Sequence, residues 1–265
     1  MLPASQTPFN EMWESLVIYK NLAIANNITP PADMRIWMLG FNSHGWLGCT
    51  PMFHHFAEEQ STIIGALIGS LIHAISDYNA TLSILHLYAI PIALFIPIQF
   101  PDMLLFFEQS TTLTTQEVYL TVFHELAHSS HFYRVNETYW QRYVDYAIAN
   151  YGYGNDCTGQ YAGYCGIGEM WGNFAEAVFY QQYCGISYPY VQYNSSNNIF
   201  NPFEGWYHPG ILAYIHNEAN TNIGTIYHAL NPDVYSLDAL RISLHYHDID
   251  DNYSYHAFDY FNYWN

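Results

Sequence analysis

Residues 121–128 carry the feature that most constrains this chain, the motif His-x-x-x-His with a glutamate after the first histidine: His124, Glu125 and His128. Two histidines four positions apart lie one turn apart on the same face of an α-helix. Both imidazoles can therefore offer nitrogen atoms to one metal ion, and Zn²⁺ accepts such nitrogens at about 2.0–2.1 Å. Glu125 points about 100° away around the helix, so it reaches a water molecule beside the ion rather than the ion itself. That is the position of a general base in a zinc hydrolase.

The flanking sequence predicts that this motif is helical. Thr114 and Glu117 form the pattern Thr-x-x-Glu, which is a capping box at the start of a helix. An apolar stripe follows on the other side of the helix, at Val118, Val122, Phe123 and Leu126. We therefore expect a helix from about residue 115 to about residue 133.

Composition and charge limit the classes of partner. The chain has 265 residues, of which 51% are apolar, enough for a sizeable core. Five Lys and Arg against 23 Asp and Glu give a formal charge of −18. Nucleic acids and anionic membrane surfaces both require a basic patch, so neither is an expected partner.

The pattern along the chain predicts an α+β fold with a small mixed sheet packed on the motif helix. We expect strands at about 34–41, 83–90, 92–99 and 102–108, and a buried helix at 61–76. Three prolines, Pro91, Pro97 and Pro101, argue against a membrane span in the apolar stretch 82–107. An edge strand of such a sheet can pair with an extended substrate backbone.

Further helices are expected at about 11–25, 140–150, 166–183, 209–219, 223–230 and 236–246. We interpret residues 1–265 as a single domain with two lobes. The N-terminal lobe, about 1–133, would hold the sheet and the motif helix. The C-terminal lobe, about 134–265, would be mainly helical and would supply a third metal ligand.

The third ligand is expected from a second helix. His131 lies on the same face as His124, but about 10 Å further along the axis, too far to bind the same ion. Glu169 and Glu176 share one face of the predicted helix 166–183. Glu169 is the preferred ligand and Glu176 the alternative.

Two other residues of that helix have expected roles. Gly172, without a side chain, would let the helix approach the motif helix closely. Asn173, one turn after Glu169, could donate a hydrogen bond to a metal-binding histidine.

The segment VFHELAHSSHF at 122–132, followed about forty residues later by GEMWGNFAE at 168–176, resembles the gluzincin zinc metallopeptidases. More narrowly, it is similar to secreted or lipid-anchored zincin-like proteins of Bacteroidetes. The resemblance covers about residues 100–183, and the stretch GWYHPGIL at 205–212 loosely. The metzincin pattern is absent, because His131 and Arg134 stand where its glycine and third histidine would be.

The resemblance implies a zincin-like fold with Zn²⁺ held by His124, His128 and Glu169, and with Glu125 as the base. It also implies a Tyr or His that stabilises the oxyanion. The candidates are Tyr207, His208, His216 and His228, and we select His208, beside Pro209 and Gly210. A signal or lipoprotein segment is expected to have been removed, which implies an extracellular, cell-surface or periplasmic location.

The function expected from these features is zinc-dependent hydrolysis of peptide bonds in a peptide or protein substrate. Two alternatives stay open. One is a non-catalytic protein that binds peptides or glycans on a zincin scaffold, for which the many Tyr, Trp and Asn residues would be suited. The other is a zinc hydrolase of a non-peptide substrate.

Overall fold

A computed structural model describes residues 7–41, 47–52, 55, 101–108, 114–150, 158–186, 208–249 and 256–258. Over these residues the chain is a mixed α+β protein in which helix predominates and a three-stranded sheet lies at one side of the motif helix. The strands predicted at 83–90 and 92–99 and the helix predicted at 61–76 lie outside the described residues.

The helices follow the predicted periodic segments. In chain order they are α1 (Thr7–Ala25), α2 (Thr115–Val135), α3 (Glu137–Ala149), α4 (Ala162–Cys184), α5 (Pro209–Glu218), α6 (Ile223–Ala229) and α7 (Leu237–Tyr246). Each overlaps a helix expected from the sequence. The largest differences are at the N-termini of α1 and α4, which begin four residues earlier than expected.

The sheet contains β1 (Ile36–Phe41), β2 (Leu47–Cys49) and β3 (Met103–Glu108) in the order β1-β3-β2. β1 is parallel to β3, and β2 is antiparallel to it. The strands predicted at 34–41 and 102–108 and the mixed character of the sheet are thus confirmed. β2 was not predicted, since three residues are too short to show a period of two.

The predicted capping box begins α2. The Thr114 hydroxyl accepts from the backbone N–H of Glu117 at 3.2 Å, and the Glu117 carboxylate accepts from the backbone N–H of Thr114 at 2.8 Å. Two of the four N–H groups that a helix start leaves unpaired are satisfied in this way. The four residues of the predicted apolar stripe are all buried.

Burial of α2 extends beyond that stripe, because other helices pack on its polar faces as well. The phenol of Tyr19 from α1 lies 2.8 Å from the Ser130 hydroxyl, and the phenol of Tyr227 from α6 donates to the Ser130 carbonyl at 3.0 Å. From α4, the indole of Trp171 donates to the carbonyl of Ala127 at 2.9 Å. These bonds satisfy polar groups that would otherwise be costly to bury.

The apolar core is continuous around α2. It includes side chains of α1, β3, α2, α4, α5, α6 and α7. A second cluster of buried aromatic residues lies where α3 and the start of α4 meet the C-terminal half of α2. Within the described residues, no helix combines the length and hydropathy needed to cross a membrane.

The cap of α2 generates a first prediction. Thr114→Ala removes a hydroxyl that accepts the Glu117 N–H, so the free energy of unfolding should fall by about 1 kcal/mol. Urea unfolding in the presence of a chelator measures this change. Thr138→Ala, at an exposed position in the first turn of α3, is the control. Equal stability of the wild type and the Thr114 variant would contradict the capping role.

Candidate metal centre

The structure brings His124 and His128 of α2 together with Glu169 of α4. One ligand atom from each of the three residues lies within 4.8 Å of the others. His128 and Glu169 are buried, with 2% and 0% of their surfaces exposed, and His124 is largely buried. The residues that the sequence selected as metal ligands therefore form one group.

The two distances from the histidines to Glu169 fit a shared metal ion better than direct hydrogen bonds, whereas the two imidazoles lie at hydrogen-bond distance from each other. The two Nε2 atoms lie 2.9 Å apart. Each is 3.4 Å from an oxygen of Glu169, longer than the usual N–H···O distance of about 2.9–3.0 Å. Two ligand atoms on one tetrahedral Zn²⁺, at about 2.0–2.1 Å from it, are roughly 3.3 Å apart. The buried Oε2 of Glu169 also has no hydrogen-bond partner in the described part of the chain, as expected for a ligand atom.

Gly172 allows α4 to pass close enough to α2 for Glu169 to reach both histidines. A Cβ at this position would lie 2.8 Å from Cε1 of His124 and 3.0 Å from Cε1 of His128. Any side chain here would displace both rings. The close approach expected at Gly172 is confirmed.

Glu176 occupies the outer side of His124. Its Oε2 lies 3.1 Å from Nδ1 of His124, so it faces the nitrogen that points away from Glu169. A carboxylate on Nδ1 keeps the proton there and leaves Nε2 as a lone-pair donor to a metal. Glu176, the alternative ligand, contacts the candidate ligand His124 in this structure and is not a member of the group of possible ligands.

The role expected for Asn173 is wrong. Its amide donates to the carbonyl of Glu169 at 2.8 Å, one turn back along its own helix. The carbonyl one turn back is within reach of a short amide side chain, and it competes with the histidines of α2 for this donor. Glu176, one turn further along α4, makes the contact with the histidine instead.

Glu125 lies against the short strand β2. The hydroxyl of Thr50, directly after β2, donates to Oε2 of Glu125 at 2.7 Å. A Cβ on Gly48 would lie 2.6 Å from Oε1 of Glu125, so only a glycine lets the strand pass at this distance. The carboxylate is thus fixed between the histidine helix and the sheet, and only 3% of the residue is exposed.

The pKa values of these two buried acids are shifted in opposite directions, because their neighbours differ. Burial raises the pKa of Glu125, against the opposing effect of His124, His128 and the Thr50 hydrogen bond. Burial acts on Glu169 in the same sense, but the charges and hydrogen bonds of His128 and His124 outweigh it and lower its pKa. Glu169 is therefore kept as a carboxylate, and Glu125 is a stronger base than an ordinary glutamate.

His131 is fully buried and is not a member of the metal group. Its ring packs against the rings of Tyr139 and Trp140, with centroids 5.3 and 5.7 Å away. Neither ring nitrogen has a hydrogen-bond partner among the residues that the structure describes. Burial lowers the pKa of His131 to about 3, with smaller contributions from His128 and Arg134, so the ring is neutral near pH 7.

Three of the four residues considered for oxyanion stabilisation are described, and none of those three belongs to the group of possible metal ligands. His208 is the N-cap residue of α5, where burial lowers its pKa. His216 contacts the carbonyl of Thr221 at 2.6 Å, and His228 contacts that of Asn27 at 2.9 Å. Tyr207 lies outside the described residues. The catalytic role of His208 stays a prediction.

Two site residues had no signal in the sequence. Thr50 holds Glu125 from a loop that is remote along the chain, and no motif marks it. Tyr143 of α3 donates a short hydrogen bond to Oε1 of Glu169. The spacing of Tyr139, Trp140, Tyr143 and Tyr146 indicates a buried face of α3, but among 26 tyrosines it does not single out one phenol.

Comparison of the chain with protein-family models, with curated proteins and with solved structures found no match. The resemblance to gluzincins therefore depends on the motifs and their geometry, and membership of that class stays a prediction.

The burial of His131 generates a prediction about pH. The folded pKa lies below the unfolded value of about 6.5, so the unfolded chain binds more protons as the pH falls from 6.5 towards 3. Stability present above pH 6.5 is lost across that window. The side chain in His131→Phe cannot bind a proton. Between pH 7 and pH 5, the free energy of unfolding of this variant should therefore fall by about 2 kcal/mol less than that of the wild type.

Urea unfolding at the two pH values, with a chelator present to exclude metal competition, measures the difference. His245→Phe at an exposed position on α7 is the control and should follow the wild type. Parallel pH dependences for wild type and His131→Phe would show that His131 is not buried in its neutral form.

Proposed function

We propose that this chain is a zinc-dependent hydrolase that cleaves peptide bonds, with Glu125 as its general base. The observation that supports this most directly is the juxtaposition of two histidines and a carboxylate with a second, buried carboxylate that is not needed to hold the ion. A site that only stored or bound a metal would not require this extra base.

The ligand set suits zinc. Two imidazole nitrogens and one carboxylate are the protein ligands of a common class of catalytic zinc sites, which leave a fourth position open. When bound, the ion supplies Lewis-acid polarisation of a carbonyl oxygen and lowers the pKa of water to about 7. His124, His128 and Glu169 hold it, and Glu176 orients His124 from the outer side.

Glu125 has the properties that the proton transfers need. Its raised pKa lets it accept a proton from the attacking water and then donate that proton to the departing amine. Thr50 holds one oxygen, and the Glu125 side chain has little freedom to rotate between the Thr50 hydroxyl and the backbone of Gly48. A base fixed in advance does not lose rotational entropy during the reaction.

The neighbouring strand favours a peptide as the substrate. In the sheet order of the described strands, β2 is terminal and pairs with β3 along one side. Its backbone passes directly over Glu125 at Gly48. An extended chain that added to the other side of β2 would be held by main-chain hydrogen bonds, and one of its peptide bonds would lie near the base.

The same features support assignment to the gluzincins and a zincin-like fold, as the sequence motifs imply. We further propose that the protein acts outside the cytoplasm, at the cell surface or in the periplasm. This part of the proposal depends on the resemblance alone.

Glu125→Gln is the first test. The variant should bind zinc as the wild type does, because Glu125 is outside the ligand group, and it should lose hydrolysis by roughly 10²–10⁴-fold because an amide cannot accept the proton. Zinc content is measured by elemental analysis. Hydrolysis is measured on a library of quenched-fluorescent peptides, with added zinc or with a chelator.

Glu218→Gln makes the same chemical change at the exposed end of α5 and should retain full activity. If the Glu125 variant is as active as the wild type, Glu125 is not the base. If the wild type binds zinc but cleaves no peptide, the two alternatives replace the proposal. Hydrolysis of simple esters would then favour a non-peptide hydrolase, and its absence would favour a binding protein.

Thr50→Val tests how the base is held. Valine retains the shape of threonine but cannot donate to the carboxylate, so kcat should fall roughly 10- to 100-fold, as expected for the loss of a hydrogen bond to a charged group. KM and zinc content should change little, since Thr50 contacts neither the ligand group nor, by the proposal, the substrate side chains. Thr50→Ser restores the hydroxyl and should restore kcat. An unchanged kcat in the valine variant would exclude the positioning role.

A further inference from the structure

The two oxygens of Glu169 each lie near one histidine of the group, but they differ in hydrogen bonding. Oε1 lies 3.4 Å from Nε2 of His128 and also accepts a short hydrogen bond from the phenol of Tyr143. Oε2 is buried, lies 3.4 Å from Nε2 of His124, and has no hydrogen-bond partner among the described residues. One oxygen is therefore already engaged by the protein, and the other is available to a cation.

Tyr143 is itself held in place. Its ring stacks on that of Trp140 at a centroid distance of 4.5 Å and an interplanar angle of 17°. The Trp140 indole donates to the carbonyl of Thr50 at 3.2 Å. The stacked rings of Tyr143 and Trp140 are thereby linked to the residue whose hydroxyl positions Glu125. On the other side, a Cβ at Gly168 would lie 2.9 Å from Cε2 of the Tyr143 ring, so α4 approaches the phenol without an intervening side chain.

The consequence for metal binding follows from the chemistry of carboxylates. A carboxylate with both oxygens unengaged can bind an ion through one oxygen or through two. A donor fixed on one oxygen favours binding through the other alone, which keeps the coordination number low and leaves a position open for water.

We propose that Tyr143 is a positioning residue that makes Glu169 a one-oxygen metal ligand, through Oε2. The proposal rests on the metal site of the proposed function, but it does not depend on which bond the protein cleaves. Tyr143 acts through Glu169 and is not assigned a contact with substrate.

The test is zinc affinity, measured by competition with a chromophoric chelator on the full chain. Tyr143→Phe removes only the hydroxyl, and its zinc Kd should rise roughly 10- to 100-fold. Tyr139→Phe is the matched control: it lies one turn earlier on α3 and loses a comparable buried hydrogen bond, from its phenol to the carbonyl of Val234 at 2.9 Å. Its zinc Kd should stay within about 2-fold of the wild type, since no ligand contact is lost.

X-ray absorption at the zinc edge gives a second readout that requires no variant. Zinc bound to the wild type should have four nitrogen and oxygen neighbours and no zinc–carbon distance as short as that of a two-oxygen carboxylate. In Tyr143→Phe, that short distance should appear. A two-oxygen carboxylate in the wild type would overturn the proposal even if the Tyr143 variant failed to fold.

The outcomes separate this inference from the proposed function. If the wild type binds no zinc, both fall. The role of Tyr143 is refuted, and the metal site is retained, if the wild type binds zinc and Tyr143→Phe binds it as tightly. The same conclusion follows if both tyrosine variants lose affinity equally.

Discussion

The approach of α4 to α2 at Gly172 is the contact on which the candidate site depends. Because position 172 has no Cβ, the imidazoles of His124 and His128 lie directly against the backbone of α4. Glu169, one turn earlier on α4, can then meet both rings. The indole of Trp171 donates to the carbonyl of Ala127 across the same interface and so opposes any sliding of the helices. A methyl group at 172 would separate the helices or rotate the rings, and either change would alter the ligand geometry.

Burying three carboxylates beside two imidazoles is costly unless each acid has a hydrogen-bond partner. The structure supplies those partners from different elements. Thr50, after β2, serves Glu125. Tyr143 of α3 donates a hydrogen bond to Glu169. Glu176 contacts His124, which is itself a residue of the site. Sheet and helices are therefore coupled through the site, and the side chains are arranged before any ligand binds, which is what catalysis by positioned groups requires.

Local patterns in the sequence were sufficient for much of this arrangement. Periodicity and caps predicted the helices, and the spacing of Glu169 and Gly172 predicted which face of α4 meets α2. The contacts of Thr50 and Tyr143 were beyond such reasoning, because they join segments 75 and 26 residues apart along the chain and depend on tertiary packing. The error over Asn173 has a similar origin. Spacing placed it on the correct face, but the distance between the helices decides whether a short amide reaches across.

The choice between catalysis and simple metal binding depends on Glu125. A carboxylate that served only to stabilise the helix would be expected at the surface or paired with Lys or Arg, since burial raises its free energy. Here it is buried beside the ligand group, and its pKa is raised by that burial. Thr50, a neutral donor, satisfies one oxygen, and the glycine backbone of β2 lies against the other. Such an arrangement lowers the stability of the fold but gives a base that accepts a proton readily. A protein that only binds a metal or a peptide would not need such a base, so the arrangement favours a hydrolase.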